Sequence, residues 1–433
     1  MMTTFLAALA MALATSAGDA PSAPRDTPSA ASLRAWHELL GSEPHVAGTP
    51  GDARQIERLR GAFVGLGLEV EVHEIFPLLC RPVAASLEVV ESIDASDAIA
   101  EASPAGSATA DAAHATPGPN AHPEARARRG VVGLDLRERN LLEDPATAHP
   151  DLTYGWNAYS GSGDVTAEPV YVNYATREDF ERLRELGVDV AGKIAIARYG
   201  RNFRGDKVRF AERAGAVGLV IFSDPADVAR GPAYPEGGWA NDSCIQRGSV
   251  MRLGQPGDPL TPGVPATADA ARLAPDAAGL PRIPVQPIGY AAAGSILGRM
   301  RGDEAPEAWR GGLTLPYRLT GGPGVRLHLR VEQAREIMRT ANVVGTLRGT
   351  TDEFVVVGCH HDAWGFGAAD PLAGTIVLME TARGVRARRR DRLGACNARS
   401  SSPRGPPRSS GSSGRPNGAS SMPTRSPRRA WRT

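Results

Sequence analysis

The densest concentration of reactive side chains lies in FVVVGCHHDAWGFGAADPLAG, residues 354–374. An apolar run leads into Cys359, His360, His361 and Asp362. In open α/β sheets, sites form beyond the carboxyl ends of strands, so a buried strand over 354–358 would deliver these residues to such a place. His360 and Asp370 offer one imidazole and one carboxylate, both good ligands for a divalent metal. Asp362 follows His360 by two residues, which puts both side chains on the same side of an extended chain. A carboxylate there can orient a ligand imidazole through its second ring nitrogen. Asp370-Pro371 opens a predicted helix over 371–382, with Pro where the missing N–H costs nothing and a carboxylate where the helix dipole favours it. On these residues alone two readings stand level: part of a metal site, or partly buried polar side chains with Asp370 as a helix cap. No histidine follows His361.

The elements that must hold this run are read from periodicity. Residues 32–40 and 51–66 read as amphipathic helices, the second with Ile56, Leu59, Phe63 and Leu66 at helical spacing. Residues 68–76 and 84–90 read as strands. Residues 94–128 are rich in Ala, Ser, Pro, Asp and Glu, too poor in apolar side chains to pack, and are expected to be a disordered insertion. From 154 onward strands (169–174, 193–198, 217–222) alternate with helices (177–186, 207–214), the signature of a compact α/β or open-barrel module. Residues 230–280 are loop-dominated. A helix at 290–301 and strands at 325–331 and 341–347 lead to the run described above.

Composition bounds the rest. The 433 residues suffice for two or three domains. A net charge of +1 argues neither for nucleic acid nor for a membrane surface. The apolar run at 5–14, followed by small residues, reads as a cleaved export signal ending near Ala17, and it is too short to span a bilayer. Cys80, Cys244, Cys359 and Cys396 fit no zinc knuckle and no disulfide framework, and read as small buried hydrophobes. P-loop, nucleophile-elbow and HExxH motifs are absent from the sequence.

GCHHDAWGFGAADPLAG resembles the first metal motif of the glutamate carboxypeptidase and transferrin receptor family of two-zinc exopeptidases. The likeness continues in order through EPHVAGTP at Glu43, VYVNYATREDF at Val170, GKIAIARYGRNFRGDKV at Gly192, LVIFSDPADV at Leu219, IQRGSV at Ile245, GDPLTPGVPAT at Gly257, RIPVQPIGY at Arg282 and NVVGTLRG at Asn342. It covers residues 32–384 apart from the Ala-rich insertion.

The resemblance implies an α/β fold: a split zinc-exopeptidase domain, an incomplete mixed β-sheet with helices on both faces, and an inserted protease-associated apical domain. The expected boundaries are 1–17 for the signal, 32–80 and 341–384 for the two parts of the peptidase domain, and 81–340 for the apical domain. It implies that His360 binds one zinc, that Asp370 bridges two, and that Asp362 supports His360. Arg204 would hold the substrate's terminal carboxylate, which suits a guanidinium fork. Ser249 stands where glutamate carboxypeptidase II has Asn. Thr261 and Val264 match a region that helps hold a structural calcium. The full-length family implies a homodimer, a small peptide substrate, and a secreted or periplasmic location, with no nucleic-acid partner and no membrane span.

Residues 385–433 depart from the family. They are rich in Arg, Ser, Pro and Gly, with Asp391 as the one acidic residue. The family has there a motif of the form SWDAEEFGLLGSTEW, which supplies the general base and a further zinc ligand. Reading freely chosen codons one nucleotide earlier from Arg399 permits IVFASWAPEEFGLLGSTEW. The expectation is therefore a frameshifted, disordered tail and a truncated, inactive chain that lacks the general base and binds little or no zinc stably. The rival reading is a non-catalytic binding or scaffold protein, of the transferrin receptor kind.

Overall fold

The computed structural model describes residues 28–91, 130–252, 254 and 257–400, with side chains placed through residue 389. The expected export signal, the whole Ala-rich insertion (94–128) and the chain beyond 400 lie outside the described residues. The chain divides into two compact units: residues 28–42, 54–72 and 343–400 form one, and residues 43–53 and 73–342 the other.

Helix α1 (Ala30–Leu40) is the first described element, capped by Ser29, whose side chain accepts from the Ser32 backbone N–H while Ser32 reciprocates. Helix α2 (Pro50–Gly65) follows, then strand β1 (Glu69–Ile75).

The larger unit holds two four-stranded sheets and one two-stranded pair, Asn157–Ala158 with Gly248–Ser249. Strands β2 (Leu78–Glu91), β3 (Val131–Gly133), β4 (Asn157–Ala158), β5 (Gly163–Ala167) and β6 (Pro169–Tyr171) lead to helix α3 (Arg177–Glu185), β7 (Ile194–Arg198), helix α4 (Arg204–Arg213), β8 (Gly218–Phe222) and the short helix α5 (Pro225–Val228). After β9 (Gly248–Ser249) come β10 (Val285–Ile288), helix α6 (Tyr290–Leu297) and β11 (Val325–Ile337). Strands β10-β8-β7-β6 form a parallel sheet in that order. Every residue of β7, β8 and β10 is buried, as expected of parallel strands covered on both faces. The second sheet is antiparallel, in the order β3-β2-β11-β5. Along β11, Val325, Leu327, Leu329 and Val331 turn into the common core, and the alternate residues face outward.

The pairing of β2 with β11 runs from Val325↔Glu91 to Ile337↔Leu78. This ladder carries residues 78–80 into the larger unit. Residues 43–53 also belong to the larger unit.

Strand β12 (Thr340–Thr346) returns alongside β1. Helix α7 (Leu372–Ser400) closes the smaller unit. Its core gathers Leu40, Leu59, Phe63, Leu66, Leu372 and Met379. Each such side chain contributes about 1.5–3 kcal/mol by leaving water.

Three expectations are corrected here. Residues 354–358 are not a buried strand: they pair with nothing among the described residues, and Val355 and Val356 are 90% and 88% exposed. A β-run is buried only by strands beside it, and the described part of this unit supplies only the β1–β12 ribbon. Helix α7 does not end near 382 but continues to Ser400. The stretch 385–400 is dominated by Arg and Ala, good helix formers, and no proline interrupts it before Pro403. Arg386 Nη1 donates to the Leu66 carbonyl at 2.5 Å. Finally, Cys80 is buried but Cys359 is exposed, because the strand that would have covered it does not form.

Among the described residues, no helix is long and apolar enough to cross a membrane.

Candidate metal and substrate-binding sites

His360 sits between two carboxylates. Its Nδ1 lies 3.1 Å from Asp362 Oδ1 and its Nε2 lies 2.9 Å from Asp370 Oδ1. Nδ1 also meets the Asp362 carbonyl at 3.0 Å. The structure thus brings together the three residues singled out in this segment of the sequence. Asp370 precedes α7 by two residues, so the helix start at Leu372 holds the carboxylate near the ring. Thr375 Oγ1, one turn into that helix, donates to the His360 carbonyl at 3.2 Å. His37, on α1, meets the Ala368 carbonyl through Nε2 at 2.7 Å and fixes the loop on the other side. Neither Thr375 nor His37 was singled out from the sequence; each acts through a backbone carbonyl, which leaves no motif.

Partial burial is the largest influence on the His360 ring and lowers its pKa. The charge on Asp362 and hydrogen bonds to both carboxylates outweigh it, so the pKa lies above the ordinary histidine value. The two carboxylates face opposite ring nitrogens and cannot close on one ion together. In keeping with this, no group of three His, Cys, Asp or Glu side chains able to hold a metal occurs among the described residues. The donor set fits the imidazole–carboxylate part of a zinc site, with Asp362 as the outer carboxylate, and falls short of four ligands.

Arg204 and Ser249, 45 residues apart, meet in the larger unit. Arg204 Nε donates to the Ser249 carbonyl at 3.2 Å. Its guanidinium lies against Gly248, where an added Cβ would come within 2.3 Å of it, so only glycine allows this approach. The two terminal nitrogens of Arg204 have no protein partner among the described residues and form a fork open to an anion. The Ser249 hydroxyl oxygen accepts from the Met251 N–H at 3.1 Å, which leaves its O–H able to donate.

The loop before Arg204 is held by Lys207, which sequence reasoning passed over. The side chain is fully buried. Its Nζ donates to Tyr174 O at 2.6 Å, Gly200 O at 2.8 Å and Asn202 Oδ1 at 2.6 Å. Around it Asn173, Ala175 and Arg201 all adopt positive φ, a conformation that non-glycine residues hold only under constraint. Burial pulls the Lys207 pKa down to about 7.

Thr261 is buried and Val264 is exposed. Thr261 Oγ1 donates to Asp258 Oδ2 at 3.3 Å. The carbonyl oxygens of Thr261 and Val264 lie 3.6 and 3.9 Å from the position of the Cβ that Gly257 lacks, beside the Gly263 nitrogen at 3.6 Å, and the Thr261 carbonyl accepts from the Val264 N–H at 3.2 Å.

Comparison with known proteins agrees with this division. The PA domain family matches residues 161–253, and Peptidase family M28 matches residues 342–394. The chain is 42% identical over 246 residues to a glutamate carboxypeptidase 2 homolog of Caenorhabditis briggsae, a match covering 53% of this chain and 32% of that protein. It is 32% identical over 365 residues to aminopeptidase NAALADL1 of Mus musculus, covering 79% and 44%. It is 37% identical over 257 residues to transferrin receptor protein 2 of Rattus norvegicus, covering 58% and 30%. The chain therefore spans between 30% and 44% of the length of these relatives.

Proposed function

Because the chain belongs to the glutamate carboxypeptidase and transferrin receptor-like branch of Peptidase family M28, we propose that it carries part of a zinc-dependent exopeptidase that removes C-terminal residues from small peptides outside the cytoplasm. The observation that carries this reading is His360 with a carboxylate at each ring nitrogen. Two ligands bonded to one zinc at about 2.0–2.1 Å stand roughly 3 Å apart, close to the separation of His360 Nε2 and Asp370 Oδ1. His360 and Asp370 would hold the ion, and Asp362 would fix the imidazole tautomer. A zinc ion supplies Lewis-acid polarisation of a peptide carbonyl.

The chain's own residues do the rest. The open guanidinium fork of Arg204 suits a terminal carboxylate, and Lys207 keeps the loop that presents it in place. Ser249 Oγ accepts from the Met251 N–H, which leaves its single O–H able to donate, one short-armed donor for an acidic terminal residue. The carbonyls of Thr261 and Val264 suit a calcium ion.

The described residues supply two zinc ligands and no carboxylate poised as general base, a group worth about 10²- to 10⁴-fold in rate. We therefore expect weak zinc binding and no turnover from this chain. Equilibrium dialysis of the purified chain against zinc should show weak binding that His360→Ala and Asp370→Asn both abolish. Binding unchanged by either substitution removes the metal assignment. Chelator-sensitive cleavage of N-acetylated dipeptides by the unmodified chain removes the inactivity.

A further inference from the structure

A cleft of about 560 Å³ opens between α3 and α4, within the larger unit and built from none of the residues discussed above. Phe180 and Phe210 form its floor, and Arg177, Arg184 and Arg213 stand around it. The three arginines are exposed, and none of them is ion-paired among the described residues. Asp189 is the only acidic residue of the lining, and its carboxylate already accepts from the Ala191 N–H at 2.9 Å.

The placement of charge on α3 is directional. Arg177, Phe180 and Arg184 fall at i, i+3 and i+7, one face of a helix. Seven residues of helix rise about 10 Å, so two guanidinium groups flank an aromatic ring along the length of the cleft. Glu178 and Glu185 stand about a quarter turn or more round the helix, where Glu185 pairs with Arg182 at 2.8 Å. Arg184 and Arg213 occupy last helical turns, where the dipole welcomes a cation. Arg177 is the first residue of α3, where the dipole opposes one. Helix stability accounts for the first two arginines and not for the third.

The geometry points to this cleft as a docking site for an acidic peptide segment of a partner protein, one in which carboxylates about 10 Å apart flank an apolar side chain. The arginines provide forked donors for the carboxylates, and the phenylalanine floor takes the apolar side chain. A concave, apolar-floored cleft suits a narrow chain better than a broad anionic lipid surface, which a flat basic face would meet.

The test is fluorescence polarisation with the full 433-residue chain. The probe is a fluorescein-labelled peptide with two central phenylalanines flanked on both sides by glutamates. Saturable binding is expected, weakening with salt. The double variant Arg177→Glu with Arg213→Glu should weaken it about tenfold or more, and so should a peptide with glutamine in place of glutamate. Arg182→Glu, on the other face of α3, should leave it unchanged. Circular dichroism reports whether the double variant folds, and Arg177→Gln with Arg213→Gln serves if it does not. Absent binding, equal binding of the glutamine peptide, or no loss in the double variants overturns the proposal. So does capture of phosphatidylserine vesicles through the same arginines without peptide binding.

Discussion

The indole Nε1 of Trp36 donates to Glu380 Oε1 at 2.8 Å, joining α1 to α7 across 344 residues of sequence. Ser32 Oγ donates to the other carboxylate oxygen at 3.0 Å, and Arg383 Nη2 does so at 2.6 Å. Glu380 is almost fully buried. Glu380→Ala leaves these donors without their acceptor and should cost about 1–3 kcal/mol in chemical denaturation. Burial is the largest influence on the carboxyl and raises its pKa, but the bonds from Arg383, Trp36 and Ser32 together bring it below the ordinary value. A depressed folded-state pKa gives stability that is present above the unfolded value and lost as pH falls through the folded one. Glu380→Gln should therefore flatten the acid limb of the stability profile.

His328, on the outer face of β11, works in the opposite sense. Its Nε2 meets Asp164 Oδ1 at 2.8 Å and its Nδ1 meets Glu88 Oε2 at 3.2 Å, so the ring ties β11 to β5 and β2. The bond to Asp164, then that to Glu88, raises its pKa. The contribution is full below the unfolded histidine value, about 6.5, and is lost as pH rises through the folded one. Urea midpoints of the parent and of His328→Gln should differ at pH 5.5 and converge by pH 8.5. Because the ring is partly exposed, the difference should be modest.

Lys207 gives a third profile. With its pKa pulled down to about 7 by burial, the folded chain sheds this proton while the unfolded chain keeps it. Stability should then rise between pH 7 and pH 10. Lys207→Met should flatten that rise. It should also lower the melting temperature, because the Tyr174 and Gly200 carbonyls lose their donor. A variant that keeps the rise assigns it elsewhere.

If the reading frame slips near Arg399, shifting it by one base should yield a protein with zinc-dependent peptidase activity that a chelator abolishes. In that protein Arg204→Ala should raise KM for a peptide with a free C-terminal carboxylate about tenfold or more, with little change for an amidated one. An unchanged KM takes Arg204 out of the substrate site. A restored protein that binds zinc and cleaves nothing favours the receptor-like reading.

What the sequence made legible follows from how local each determinant is. The burial of Ile56, Leu59 and Phe63 on α2, and of Leu66 just beyond its end, was plain from their spacing. The His360–Asp370 contact spans ten residues and was also within reach. The strand at 354–358 was misread because its pattern states what could be buried, not whether strands lie beside it. Helix α7 was cut short because Arg-rich composition suggests disorder, although Arg, Ala and Leu favour helix. Lys207 was missed because lysine is normally solvated. Its cue was position: it shares a helix face with buried Val208 and Ala211.

The exposed run at 354–357 bears on how the molecule ages in solution. Phe, Val, Val and Val contain no charge and no proline, and such segments zip against their own copies edge to edge. Asp352 and Glu353 stand immediately before the run as electrostatic gatekeepers. Salt that screens them, or mild acid that neutralises them, should therefore shorten the lifetime of the soluble chain, and shorten it more steeply at high protein concentration, with secondary structure elsewhere intact when the first aggregates form.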